Sequence, residues 1–142
     1  MNVDRTRRNE CGSALVEAAL TMLAFLIIIF SIFEAGRMMS IQQTLTNAAR
    51  EGARLAVLPL QGGTDSLPSD GVVQARVQSF LNASGLNGAT ANIVVDVVTT
   101  SGTDSKRVTV TAPYRVVSIS MFSFLEVNLQ GRAMMRNETN LK

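Results

Sequence analysis

The chain has no histidine, no tryptophan and a single cysteine, Cys11. Without histidine it lacks the commonest metal ligand and the commonest general base. A lone thiol closes no internal disulfide and has no partners for a zinc cluster. Aromatic residues make up 5% of the sequence, too few for a base-stacking surface, and a net charge of +2 leaves no electrostatic footprint for nucleic acid. The sequence contains no H-E-x-x-H, C-x-x-C or G-x-S-x-G and no phosphate-cradling glycine loop, and a serine triad is impossible without histidine. No cofactor and no metal site are expected, and an enzyme is disfavoured. The 142 residues suffice for one modest domain, and a long apolar run takes part of that length.

That run lies within "GSALVEAALTMLAFLIIIFSIF". Ala18 to Phe33 carry no charge. As a helix, Ser13 to Phe33 would rise about 31 Å, close to a hydrocarbon core of about 30 Å. "FLIIIF" is apolar all round and lacks the polar face of a globular helix. The segment 13–33 is therefore read as membrane-spanning. A cleavable signal peptide is the alternative, but its apolar region covers about 7–15 residues and ends at a small-residue site. Here the run is longer and ends in "SIFEAGR", and Cys11 precedes it, which does not suit a lipoprotein signal. Arg5, Arg7 and Arg8 stand in front of the run, so the positive-inside rule keeps the N-terminus cytoplasmic and exports the rest. Arg37, Arg50 and Arg54 follow it, interspersed with Glu34 and Glu51. The exported part has no cysteine and needs no oxidative folding.

Near the front of the run stands one acid, Glu17. A charged side chain at the centre of a spanning helix costs about 2.5–3.5 kcal/mol on insertion scales, and less near an interface. One reading is that Glu17 snorkels to the headgroups. The other begins with Gly12. If the chain is cut after it, Ser13 gains a free ammonium, and in a bundle of such helices the Glu17 carboxylate of one subunit faces the amine of the next. A misregistered neighbour would leave both charges unpaired.

A basic leader ending in Gly12, then "SALVE" and an apolar helix, resembles the processing and assembly signal of type IV prepilins. "GSALVEAAL", "FEAGR" and "TNAAREGARLAV", in that order, resemble the TadE-like minor pseudopilins of the tight-adherence (Tad/Flp, type IVb-like) pilus, over residues 11–57. The resemblance implies a pilin-like fold and cleavage by a prepilin peptidase between Gly12 and Ser13, with 1–12 as a cytoplasmic leader. It implies that Glu17 is the assembly carboxylate, and it extends to methylation of the new amine. The implied partners are the peptidase, other pilins or pseudopilins of the same system, an inner-membrane assembly platform and the lipid bilayer. The implied location is the bacterial inner membrane, single-pass, with entry into an extracellular pilus. Ala18 stands where the pilus-forming members carry an aromatic residue, which argues against the major pilin. The rival reading is an uncleaved, membrane-anchored periplasmic binding or scaffold module.

Past Phe33 the pattern becomes two-faced. Met38, Ile41, Leu45, Ala48, Gly52 and Leu55 recur at spacings of three and four and form a helix-packing stripe, opposite Gln43, Asn47, Arg50 and Arg54. A coiled coil would also show a stripe, but a longer one with larger residues. Its shrinking members suit packing of this continuation, 34–58, against the chain's own exported domain, 59–142. Glu51 and Arg54 are spaced to pair, and Pro59 ends the helix, which is expected from about Gly12 to Leu58.

"PLQGGTDSLPSDG" reads as a loop. Asp65 and Asp70 lack the ligand ladder of a calcium loop, and Asp70 is expected to cap a short helix with Val72, Val73, Val77, Phe80 and Leu81 on its apolar side. Gly85 and Gly88 close that unit. "ANIVVDVVTT" predicts a strand covered on both faces, and "SGTDS" a turn. "KRVTVTAPYRV" predicts a strand with Val108, Val110, Ala112, Tyr114 and Val116 on one side, and with Pro113 at an edge or outside the ladder. "SISMFSFLEV" is expected to wrap over the sheet edge, and "VNLQGRAMMR" to form a last strand with Val127, Leu129, Ala133 and Met135 inward. The expected class is α+β: a long N-terminal helix, membrane-spanning in its first half, packed on a small antiparallel sheet with one short extra helix.

Overall fold

The structure, a computed structural model, describes residues 3–59, 67–100, 103–116 and 126–136. Its class is α+β. A long helix, α1 (Val3–Val57), is followed by a short helix, α2 (Asp70–Ala83), and three strands: β1 (Asn92–Thr100), β2 (Thr103–Arg115) and β3 (Glu126–Arg136). A single 3-10 turn, Gly88–Thr90, precedes β1. The chain forms two compact units, Met1–Arg37 and Met38–Lys142, and α1 contributes to both.

In the first unit α1 begins at Val3, well before the start at Gly12 expected from sequence, because nothing in "VDRTRRNEC" breaks a helix. From Gly12 to Phe33 the side chains are exposed, apart from a half-buried Ile29. The most apolar 18-residue window of this helix has a mean hydropathy of 2.5 and no share of it is buried. By length and composition the helix suffices to cross a membrane. Its two hydroxyls in this stretch are bonded within the helix: Thr21 Oγ1 donates to Glu17 O at 2.8 Å and Ser31 Oγ to Ile27 O at 2.8 Å. Neither requires water, as a lipid-facing hydroxyl must not.

The second unit is a three-stranded antiparallel meander in the order β1-β2-β3, with the C-terminal part of α1 and all of α2 against one face. α1 ends in a tightened turn, Leu58 N–H donating to Leu55 O at 3.1 Å, just before Pro59. Asp70 does not cap α2. The N-cap is Ser69, in extended conformation and without a side-chain cap bond, and Asp70 is the first helical residue. There its carboxylate favours the positive helix end and lies 3.6 Å from Lys106 Nζ. Val73, Val77 and Leu81 are buried as expected, but Val72 is exposed, since one narrow row of a two-turn contact suffices. Gly85 takes φ +78° and closes α2 in a Schellman arrangement, with Leu86 N–H on Leu81 O and Gly85 N–H on Asn82 O. Only glycine adopts that φ without penalty.

β2 alternates as its sequence predicts: Val108 and Val110 are fully buried, Tyr114 is 3% exposed, and Ala112 and Val116 are half-buried. β1 corrects the expectation of two covered faces. Ile93 is buried and Val95 half-buried, but Val94 is 40% and Val97 57% exposed. β1 is an edge strand with one face open, and its far end overhangs the helices. The turn is narrower than "SGTDS", because Thr103 to Ser105 already belong to β2 and the ladder closes on Thr100↔Thr103. Pro113 sits in the middle strand, yet β1 reaches only to Thr111, so at Pro113 β2 has β3 alone beside it. On β3, Leu129 is buried and Ala133 and Met135 are half-buried, whereas Val127, at the end where the β2–β3 ribbon extends past β1, is 39% exposed although its partner Tyr114 is buried. The loop from Leu60 to Ser66, including Asp65, and most of "SISMFSFLEV" lie outside the described residues.

Candidate functional site

Two stretches of α1 hold the residues singled out from sequence, and each belongs to a different unit. In the first unit, Gly12, Ser13 and Glu17 are all helical and exposed. The Gly12–Ser13 peptide bond is therefore part of the helix, at a residue whose helix propensity is about 1 kcal/mol poorer than that of alanine. An added Cβ at Gly12 would meet nothing within 4 Å. Glu17 shares a shallow, mainly apolar surface with Ala14, Ala18, Thr21, Met22 and Phe25. Among the described residues no cation pairs with its carboxylate. In an apolar medium an acid so placed has two ways to remain charged: contact with water or headgroups, or a cation brought by another molecule.

In the second unit the stripe divides. Leu45, Ala48 and Gly52 are buried, Ile41 and Leu55 are half-buried, and Met38 is exposed. Ala49, Ala53 and Ala56, which the sequence reading passed over, are buried as well. Two adjacent rows of α1 are thus covered. The small residues permit it. A Cβ on Gly52 would stand 2.6 Å from Val77 Cγ2 and 3.3 Å from Val108 Cγ1, so helix, helix and strand meet at this one position.

Gly131 of β3 was also missed. A Cβ there would collide with the backbone of Leu45 and Thr46, so α1 lies directly on this strand. A glycine inside an otherwise regular strand is the sequence signal for such an approach. Beside it, Gln42 Nε2 donates to Gln130 O at 2.7 Å.

Polar contacts hold the same elements at their rim. Glu51 on α1 accepts from Arg76 on α2, with Nη2 at 3.0 Å and Nε at 3.3 Å, and lies 3.6 Å from Arg54 Nε. Both arginines are more than half exposed, so these pairs orient α2 on α1 and add little stability. Gln43, Asn47, Arg50 and Arg54 remain exposed on the outer row. Among the described residues no group of three or more His, Cys, Asp or Glu side chains is arranged to hold a metal ion. What the described residues of α1 offer is helix association and charge pairing.

Comparison with known families agrees with this picture. Residues 12–54 match the family model described as TadE-like protein. That span covers the apolar helix, Glu17 and most of the buried row of α1, and it amounts to less than a third of the chain. Comparisons with the curated proteins and with the solved structures found no match. The TadE-like segment together with a helix long and apolar enough to span a bilayer fits a single-pass membrane protein associated with a Tad pilus.

Proposed function

We propose that the chain is a minor pseudopilin of a Tad-type pilus or secretion apparatus, a structural and assembly subunit without catalytic activity. A prepilin peptidase removes residues 1–12, and Glu17 then pairs with the Ser13 ammonium of a neighbouring subunit. The chain sits in the bacterial inner membrane with its N-terminus cytoplasmic and its second unit outside, and it meets other pilins or pseudopilins on the assembly platform. The observation that carries this reading is the solitary carboxylate: Glu17 lies on an apolar helix face within the TadE-like span, with no cation beside it among the described residues. A neighbour's amine supplies the missing charge where water does not reach. Glycine at the cleavage point eases the local unwinding that a protease requires of a helical bond.

N-terminal sequencing of the chain recovered from membranes tests this. A mature N-terminus at Ser13 is expected. Recovery only of chains beginning at Met1 would refute processing and leave an uncleaved, anchored envelope module.

A further inference from the structure

Ile93, Val108, Val110 and Leu129 turn toward the helices and are buried. The residues that alternate with them turn to the other face of the sheet, where Val94 is 40% and Met134 54% exposed. This open face carries Arg107 and Arg115 on β2 and Arg132 and Arg136 on β3. Its acids are Asp96 on β1 and Glu126 on β3.

The register gathers three of the arginines around one apolar side chain. Arg107 lies directly across from Met134, and Arg132 and Arg136 flank Met134 along β3. They are diagonal neighbours of Arg107, about 7–8 Å away and within reach of side chains of this length. Like charges gathered in this way repel, so the sheet gains nothing from them by itself. Elsewhere in the second unit cations stand beside acids: Arg54 and Arg76 with Glu51, and Lys106 with Asp70. Arg107 and Arg132 do not. Asp96 is directly across the ladder from Arg107, yet among the described residues no ion pair joins an acid to either arginine. Arg132 has a long contact to Gln130 Oε1, at 3.4 Å.

We propose that this face docks an acidic segment of a different protein, whose carboxylates the Arg107 and Arg132 guanidiniums receive while an apolar side chain lies on Met134. The cations are all arginine, which grips a carboxylate with two parallel bonds, whereas lysine serves as well where only a point charge is needed. Arginine and methionine are also enriched at protein interfaces, where lysine is depleted. Asp96 and Glu126 disfavour a uniformly anionic surface such as a bilayer or a nucleic acid, which would press against both acids. A folded partner can set its own charges to match. Among the described residues of the second unit, a second copy has no spare acid to give. Glu51 and Asp70 are paired, Asp104 accepts from Thr99 Oγ1 at 2.7 Å, and Asp96 and Glu126 lie on the arginine face itself. The face belongs to the second unit alone, so this docking goes beyond the pilus reading and survives its failure.

Photo-cross-linking in the native cells tests it, with Met134→p-benzoylphenylalanine in the full chain and Val72→p-benzoylphenylalanine, at an exposed position on α2, as the control. Irradiation is expected to join position 134 to one protein, at a segment in which mass spectrometry finds two or more Asp or Glu. Adding Arg132→Glu should lower that yield at least about tenfold, and changing the acids of the captured segment to lysine should restore it. Arg132 is exposed, so Arg132→Glu and Arg132→Gln should both melt within about 2 °C of the parent; a larger fall would assign the arginine to the fold and overturn the docking role. A cross-link to lipid or polysaccharide, to a second copy of this chain or to a segment without acids would overturn the proposal. So would no cross-link at 134, equal capture from positions 72 and 134, or a yield that Arg132→Glu leaves unchanged.

Discussion

The contact between α1 and Gly131 makes a quantitative prediction. Replacing Gly131 with alanine adds one methyl group, which would stand 2.5 Å from Thr46 N and closer still to the carbonyl group of Leu45. Ordinary contact begins at 3.4 Å, so α1 must rise by about 1 Å, because a helix backbone has no rotamer to yield. A gap of about 0.5–1 Å forfeits a quarter to a half of the dispersion energy of the atoms that line it. Leu45, whose backbone lies against Gly131, is fully buried, as are Ala48 and Ala49 one turn along α1. The Gln42–Gln130 bond, 2.7 Å at present, would also stretch out of range. Overpacking of about 1–3 kcal/mol and one lost hydrogen bond of about 1 kcal/mol give an expected destabilisation of about 2–4 kcal/mol. For a unit of this size that lowers Tm by roughly 10–25 °C.

The molecule carries its own probe for the measurement. Tyr114 is the one tyrosine, there is no tryptophan, and Tyr114 is 3% exposed in the second unit. Tyrosine emission of the full chain in detergent therefore follows the unfolding of this unit alone. Gly71→Ala is the control: its Cβ would meet nothing within 4 Å, and helix propensity favours it by up to about 1 kcal/mol. If Gly131→Ala melted within 2 °C of Gly71→Ala, roughly the effect of a few tenths of a kcal/mol, α1 would not lie on β3 and the packing described above would be wrong.

Other outcomes follow from the same contacts. Leu45→Ala empties a fully buried site at the centre of the core and should cost about 2–4 kcal/mol, while Met38→Ala, at an exposed position, should stay within about 0.5 kcal/mol; equal effects in tyrosine-detected melts would contradict the division of the stripe. Glu51→Gln removes the partner of two half-exposed arginines and should lower stability by at most about 1 kcal/mol, a difference that 1 M salt should erase. A loss of several kcal/mol would show that the pair does more than orient α2. Glu17→Ala should leave membrane insertion and cleavage intact and stop pilus assembly; normal filaments from this variant, seen by electron microscopy, would dispose of the charge-pairing mechanism.

The long helix, the alternation of β2 and the inward row of α2 were legible because each is a local periodicity carried by large apolar residues. The second buried row of α1 was not, because alanine contributes little to an apolar stripe and is read as neutral. In retrospect the neighbouring pairs Ala48-Ala49 and Gly52-Ala53 mark a helix approached from two sides. The strand ends failed for another reason. Val94, Val97 and Val127 are as β-branched as their buried neighbours: Val94 is exposed because its face of the sheet is open, and the exposure of Val97 and Val127 depends on how far the helices reach along the other face. Asp70 had the chemistry of a cap, but a serine one residue earlier took the place. Glu17 was legible as an anomaly and not as a mechanism, since the charge that completes it belongs to another molecule.

The bond from Gln42 to Gln130 joins residues 88 positions apart, and this separation has a timing. At about 5–20 residues per second, the ribosome delivers the strand that receives α1 roughly 4–18 s after the helix that docks on it. For those seconds Leu45 and the alanines around it wait without their final neighbour. A chain stalled before Glu126 should present this surface to proteases, so β3 works as a latch that closes only after this delay.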